Sequence, residues 1–331
     1  MKMLKDPPTV VTDVARLEEA LETDERAQEP EPKVEPLGPV GRPRILVGTA
    51  GWTEPTLIEC GRFYPKGCRS DEARLRHYAT RFPLVEVDSD AALTSRSDFE
   101  SWARWTPAGF SFNVKAFRLF TGHRVPVDAL PASLQAALGG QARTGVHYED
   151  LRPELLDALW NLFTEAIEPL RTSDKLGAVH FRFAPSFVCA PAQRKHLDDL
   201  RARLAEYTLS LEFQHESWFD DRHRQQTLEF EKERAFVNMA LDGPRASAIG
   251  VSANWVVTNP ALAALRLYGR NAATSERFDY DYTDAELEAL SSSIRDMAAR
   301  VGAMHVVFSN NCADQGQRNA TTLMRLLGLL P

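Results

Sequence analysis

Eight short runs in this chain carry the two-residue alternation or compact apolar stretch of a β-strand, and helical periodicity fills most of the intervals between them. The runs are Arg44–Gly48, Leu84–Asp88, Phe110–Ala116, Ala178–Phe183, Thr208–Phe213, Ala235–Leu241, Ala264–Tyr268 and Met304–Ser309. Asp71–Phe82 sets Leu75, Tyr78, Ala79 and Phe82 on one side, and Ser97–Trp105 opens on Ser97 as a cap. Glu154–Leu170, Pro191–Tyr207, Thr283–Val301 and Gln317–Leu330 repeat the pattern, with Thr283 and Glu286 spaced as a capping box. Strands alternating with helices predict an α/β fold with a parallel sheet, and eight strands close a TIM-like (β/α)8 barrel. An open doubly wound sheet is the competitor, but no glycine-rich fingerprint follows any strand. Two intervals break the rhythm. An insertion at about 117–152 is long and punctuated by Gly and Pro, as a lid or an excursion would be. Asp242–Ala263 shows no clear helix and is broken by Gly243-Pro244 and Asn259-Pro260.

Residues 1–43 obey different rules. Acidic side chains crowd a stretch that ends in Pro30, Pro32, Pro36, Pro39 and Pro43. A disordered acidic, Pro-rich N-terminal tail is expected, with Val14, Leu17 and Leu21 allowing a short helix over about 12–27. The barrel domain is expected over 44–331. A formal net charge of -7 argues against nucleic-acid binding through bulk electrostatics and leaves only a local basic patch as a route to it. No window approaches the roughly 18 consecutive apolar residues of a membrane span, and the N-terminus lacks the apolar run of a secretory signal. Cys60, Cys68, Cys189 and Cys312 are scattered without a CxxC pair. A cytoplasmic chain with reduced thiols, no structural zinc and no membrane partner is therefore expected.

The strand runs also carry ionisable residues on one face. Leu84, Glu86 and Asp88 alternate against Val85 and Val87, and Ser111, Asn113 and Lys115 against Phe110, Phe112 and Val114. His180 and Arg182, then Ser210, Glu212 and Gln214, then Asn238 and Asp242, then Arg266 and Tyr268 continue the series. Helices on the outside of a barrel require outward apolar faces, so these polar faces are expected to converge on the axis. Buried charges persist only when paired. Glu86 and Glu212 against Lys115, Arg182 and Arg266 would neutralise one another as an inert ionic core. Because so many of these residues lie at strand ends, a polar pocket at the C-terminal mouth is the favoured alternative.

Seven segments occur in one order: Gly48-Thr-Ala-Gly-Trp52, Phe63-Tyr-Pro-Lys-Gly67, Val85-Glu-Val-Asp-Ser89, Phe112-Asn-Val-Lys115, Glu212-Phe-Gln-His-Glu-Ser-Trp218, Tyr268-Gly-Arg-Asn271 and Asn310-Asn311. Together they make the chain similar to the DUF72 family of YecE-like proteins over nearly all of residues 44–330. The resemblance implies a TIM-like barrel and a largely intracellular bacterial setting. It implies no reaction, since the family is one without an established activity. The chain departs from the pattern V-E-I-N-S-T-F-Y at Val85–Ala92, losing two aromatics and gaining acid. Arg182 stands where a Q-L-P-P-S-F motif has glutamine, and Gln214 where E-F-R-H-P-S-W has arginine, as though one positive charge had moved within a pocket.

An enzyme acting on a small polar or anionic substrate is the first expectation, with Glu86, Lys115, Glu212 and His215 as catalytic candidates. Lys115 would anchor a carboxylate or phosphate, or act as a desolvated base or Schiff-base nucleophile. Glu86 and Glu212 would serve as acid and base, and His215 belongs to the residue type that titrates near neutral pH. Thr49, Trp52, Asp88, Arg182, Gln214, Trp218, Tyr268, Arg270, Asn271 and Asn310 are the substrate-binding candidates, the tryptophans either as stacking faces or as ordinary packing. A non-catalytic binder of phosphate or another anion is the second expectation, using backbone N–H groups of Asn311–Gly316 before the last helix. A metal-dependent hydrolase or nuclease would draw on Glu86, Asp88, His180, Glu212, His215 and Asp242, but no ligand spacing supports it and no metal or cofactor is assigned. A nucleic-acid partner would need Arg118, His123, Arg124 and Arg143 to extend into a basic track.

Overall fold

All eight expected strands form: β1 Arg44–Ala50, β2 Leu84–Val87, β3 Ser111–Lys115, β4 Leu176–Arg182, β5 Leu209–Glu212, β6 Val237–Asp242, β7 Leu262–Leu267 and β8 Ala303–Phe308. They are seen in a computed structural model that describes residues 43–88, 92–138, 144–243, 255–271 and 278–330. Each strand pairs in parallel with the next, and β8 with β1, so the sheet closes in chain order as a TIM-like barrel. Closure satisfies the backbone of every strand without leaving an edge. The tail expected over 1–43, with its 12–27 helix, lies outside the described residues apart from Pro43.

The helices are α1 Pro55–Glu59, α2 Asp71–Ala79, α3 Arg96–Trp105, α4 Ala132–Ala137, α5 Pro153–Thr172, α6 Pro191–Arg203, α7 Arg224–Glu233, α8 Asp284–Ala298 and α9 Gln315–Leu326. The Thr283–Glu286 capping box forms as expected, each side chain taking the other's backbone N–H. The cap of α3 falls on Ser95 and not on Ser97: the Ser95 hydroxyl accepts from the Asp98 N–H. Sequence periodicity misses α7 because its buried face contains Thr227 and Glu231 beside Phe230, so its apolar stripe is thin.

The main core lies between barrel and helices. Val47, Val85, Phe112, Phe181, Leu211, Leu265 and Val306 point outward from the strands to meet Leu75, Phe99, Phe163, Leu197, Leu287 and Leu323 from the helices. Each such buried side chain contributes about 1.5–3 kcal/mol. Just before β4, the buried Lys175 amine donates to Ala103 O at 2.6 Å, Thr106 O at 2.5 Å and Thr106 Oγ1 at 3.2 Å, fastening the C-terminal end of α3. Within 117–152, the described residues form short turns, α4 and one antiparallel bridge between Val125 and Val146. Phe117, Leu119, Phe120, Leu134 and Val146 are buried there, and Phe120 stacks on Trp160 of α5 with ring centroids 3.6 Å apart.

One strand faces the opposite way from expectation. Val237, Met239 and Leu241 of β6 cluster with Ala178, Leu262, Ala264 and Tyr268 on the barrel interior. Asn238 and Asp242 therefore turn outward. The reason is the β6–β7 connection, whose described residues 255–261 contain no helix and run alongside β6. The Asn238 N–H donates to Thr258 Oγ1 at 2.8 Å, Asn238 Nδ2 to Val256 O at 3.2 Å and Asn259 Nδ2 to Ala235 O at 2.7 Å. An extended backbone offers polar partners that an apolar helix face lacks, so the polar side of β6 goes there.

Candidate functional site

Inward positions of β2, β3, β4 and β5, with Arg266 of β7 and Tyr268 just beyond it, bring the expected ions together. Arg266, only 1 % exposed, lies between two fully buried glutamates. Its Nη2 donates to Glu86 Oε2, its Nε stands 3.0 Å from Glu212 Oε2, and its Nη1 donates to Ser309 Oγ at 3.1 Å. Glu212 gathers further donors: the Tyr268 hydroxyl at 2.6 Å and Arg182 Nε at 3.1 Å on Oε1, and His180 Nε2 at 3.3 Å on Oε2. A carboxylate only accepts, so the His180 proton sits on Nε2, and Nδ1 accepts from the Ser210 hydroxyl at 2.9 Å. Lys115 Nζ stands 3.8 Å from Glu86 Oε1 and 3.1 Å from Asp88 Oδ2. Deeper in the barrel, His305 Nδ1 lies 2.9 Å from Asn113 Oδ1.

The electrostatics set the charge of these groups. Burial pushes the Glu86 carboxyl up, but the Arg266 guanidinium and then Lys115 outweigh it and hold the group below its ordinary value. Burial acts on Glu212 in the same sense and is overcome more strongly, by Arg266, the His180 hydrogen bond and Arg182, so that carboxyl lies well below the ordinary range. Burial and then Arg266 push His180 down, leaving it neutral. Glu86 and Glu212 are therefore permanent anions near neutral pH. Glu54 behaves oppositely. Half-buried at the N-cap of α1, just after β1, it is pushed up by burial and then by Asp88, with Lys115 pulling the other way. Strand alternation missed it because it sits on a loop; its place after a strand's C-terminal end was the available signal.

Other candidates are placed elsewhere. Trp218 is fully buried, stacks on Phe213 at 4.1 Å and donates its indole N–H to Phe187 O at 2.7 Å. Trp52 meets Trp102 edge-on at 5.0 Å. The Thr49 hydroxyl donates to Gly51 O at 2.9 Å, and its N–H is taken by the Tyr78 hydroxyl on the outer side of β1. His215 is held in its loop, its Nδ1 accepting the Ser217 N–H at 3.1 Å and lying 2.8 Å from Ser217 Oγ. Arg270 is paired to Asp242 at 2.7 Å and Glu286 at 3.1 Å, and Asn271 donates to Asp279 O. Buried Asn310 donates to Tyr280 O and Asn319 Oδ1, both at 2.8 Å. Gln214 is buried two residues beyond Glu212, the register partner of Arg182, so positions 182 and 214 are neighbours on adjacent strands. Thus Asp88, Lys115, Arg182 and Tyr268 join Glu86 and Glu212, whereas Thr49, Trp52, His215, Trp218, Arg270, Asn271 and Asn310 make their contacts outside that cluster.

Among the described residues, no three His, Cys, Asp or Glu side chains are grouped to hold a metal ion. Cys60, Cys68, Cys189 and Cys312 form no disulfide among the described residues, and no described helix is long and apolar enough to cross a membrane.

Fold and site together define a closed parallel (β/α)8 barrel protein with a buried ion cluster beneath one mouth. Within that class, the chain belongs to the family described as protein of unknown function DUF72, whose model matches residues 46–330. It is 26% identical over 300 residues to UPF0759 protein YunF of Bacillus subtilis (strain 168), covering 86% of this chain and 95% of that one. The solved structure of a DUF72 family protein from Thermotoga maritima MSB8 matches with a TM-score of 0.66 at 26% identity, over 86% of this chain and 99% of that one. One from Enterococcus faecalis V583 gives a TM-score of 0.69 at 23% identity, over 87% and 96% of the two chains, and shares the fold.

Proposed function

We propose that this protein is an enzyme acting on a small anionic substrate held at the C-terminal mouth of the barrel. The observation that carries this reading is Arg182. Its Nε is pinned to Glu212, its side chain is 23% exposed, and its terminal nitrogens make no hydrogen bond among the described residues. A guanidinium fixed on one side and open on the other presents parallel N–H groups to a carboxylate or phosphate. Lys115 supports the same anion: it is in register with His180, two residues before Arg182 on the neighbouring strand. Glu86 and Glu212 are fixed anions that orient the cations, and Glu54 is the group assigned to proton transfer, since its environment pushes it the other way from theirs.

The test is a calorimetric screen of small carboxylates and phosphate esters, followed by mass spectrometry for product. With a binding anion in hand, Arg182→Gln is expected to weaken it about tenfold or more, the effect of losing a charge-assisted contact. Glu54→Gln is expected to keep the binding and abolish product. Unchanged affinity in Arg182→Gln would sink the reading. A binder without turnover is the second reading, favoured by the lock that Arg266 places on both buried glutamates. It predicts no product from the native protein and no effect of Glu54→Gln.

A further inference from the structure

A furrow of about 410 Å³ on the outer side of the barrel is lined by Arg62, Arg81, Arg318, Arg325, Thr321 and Thr322. It lies between α9 and the segments flanking α2. Its charge runs against that of the chain, whose formal net charge is -7. Asp314 pairs with Arg62 at 2.5 Å and with Arg318 at 3.4 Å, and Asp281 pairs with Arg318 at 2.9 Å. Four arginines against these two carboxylates leave an excess of two positive charges. Arg81 and Arg325 are exposed and form no ion pair among the described residues.

The spacing says what shape of anion fits. Arg318, Thr321, Thr322 and Arg325 stand at i, i+3, i+4 and i+7 of α9, one stripe of a single helix face. At 1.5 Å per residue, the two arginines are about 10 Å apart along the axis. A compact anion reaches one end only, whereas an extended one reaches both and passes two threonine side chains. Phe63, at the edge of the furrow, stacks on Phe82 and meets Tyr64 and His77 edge-on. Its ring is engaged on several sides, and the Thr321 hydroxyl donates to Gln317 O at 2.8 Å, so the furrow offers chiefly arginine charge, with little aromatic surface for a base.

From this we propose that the furrow binds an extended oligophosphate chain, at a site separate from the barrel mouth. The experiment is calorimetry of the full chain at low salt with orthophosphate, pyrophosphate and tripolyphosphate. Affinity is expected to rise with chain length, and Arg81→Ala/Arg325→Ala to weaken tripolyphosphate about tenfold or more by removing charge-assisted contacts. Both residues are exposed, so circular dichroism of that variant is expected to match the native protein. Arg182→Gln is expected to leave tripolyphosphate binding unchanged, which separates this site from the mouth. Equal binding of all three anions would mean an adventitious ion only and would overturn the proposal. So would undiminished binding in the double variant, loss of binding in Arg182→Gln, or tighter binding of a short single-stranded oligonucleotide than of tripolyphosphate.

Discussion

Arg266 decides whether the interior is stable. It is the buried cation in contact with both Glu86 and Glu212, and burial works against its charge while Glu86, Tyr268 and Glu212 hold its pKa up. Arg266→Met would leave two buried carboxylates without their shared partner, which costs about 3–5 kcal/mol. Urea midpoints are expected to fall accordingly, and adding Glu86→Gln to recover part of the loss. At this scale the sequence was informative where an ionisable residue sat within an alternating strand, because such a residue has few permissible settings: Glu86, Lys115, Arg182, Glu212 and Arg266 all met. It was uninformative for Trp52, Trp218 and His215, since the residue type alone does not separate a packed ring or a turn-forming imidazole from a ligand-facing one.

Among the elements, α7 holds a local conflict. Thr227 Oγ1 and both carboxyl oxygens of Glu231 are buried one turn apart with no hydrogen-bond partner among the described residues. Burial pushes the Glu231 carboxyl well above its ordinary value of 4.5. The folded state therefore holds this proton more tightly than the unfolded chain does. Its stabilising effect is complete below the ordinary value and is lost as pH rises toward the raised one. Glu231→Gln is expected to raise the urea midpoint at neutral pH and to change it little at pH about 4, where the native carboxyl is already neutral. The strand β6 teaches a related lesson. Its alternation was legible but its facing was not, because facing depends on what covers the strand. There the cover is an extended segment with open carbonyls, and Asn238 follows them outward.

For the molecule as a whole, the buried histidines and glutamates of the barrel interior are all shifted downward, while Arg266 and Tyr268 beside them are held up. His305 is pushed down to about 3, chiefly by burial, and His180 is also lowered. The unfolded chain takes up these protons as pH falls below about 6.5, while the native barrel resists. Glu86 and Glu212, both depressed, add to the loss below about 4.5. The contribution of these groups to stability is expected to decline on acidification, opposite in sign to that of Glu231, and His305→Asn to flatten the upper part of that decline in urea melts taken from pH about 7 to 4. Closure of eight strands was readable from their number and spacing, since each strand needs a parallel partner on both sides and a ring supplies it.

Lys175 carries a practical corollary. Its amine is enclosed by the carbonyls at the end of α3, whereas the Lys195 side chain is 73% accessible on α6. An acylating reagent in water would consume amines like Lys195 while the sheet is shut and reach Lys175 only when its lower rim opens. A single peptide in a labelling time course would thus serve as the chain's own clock for unzipping.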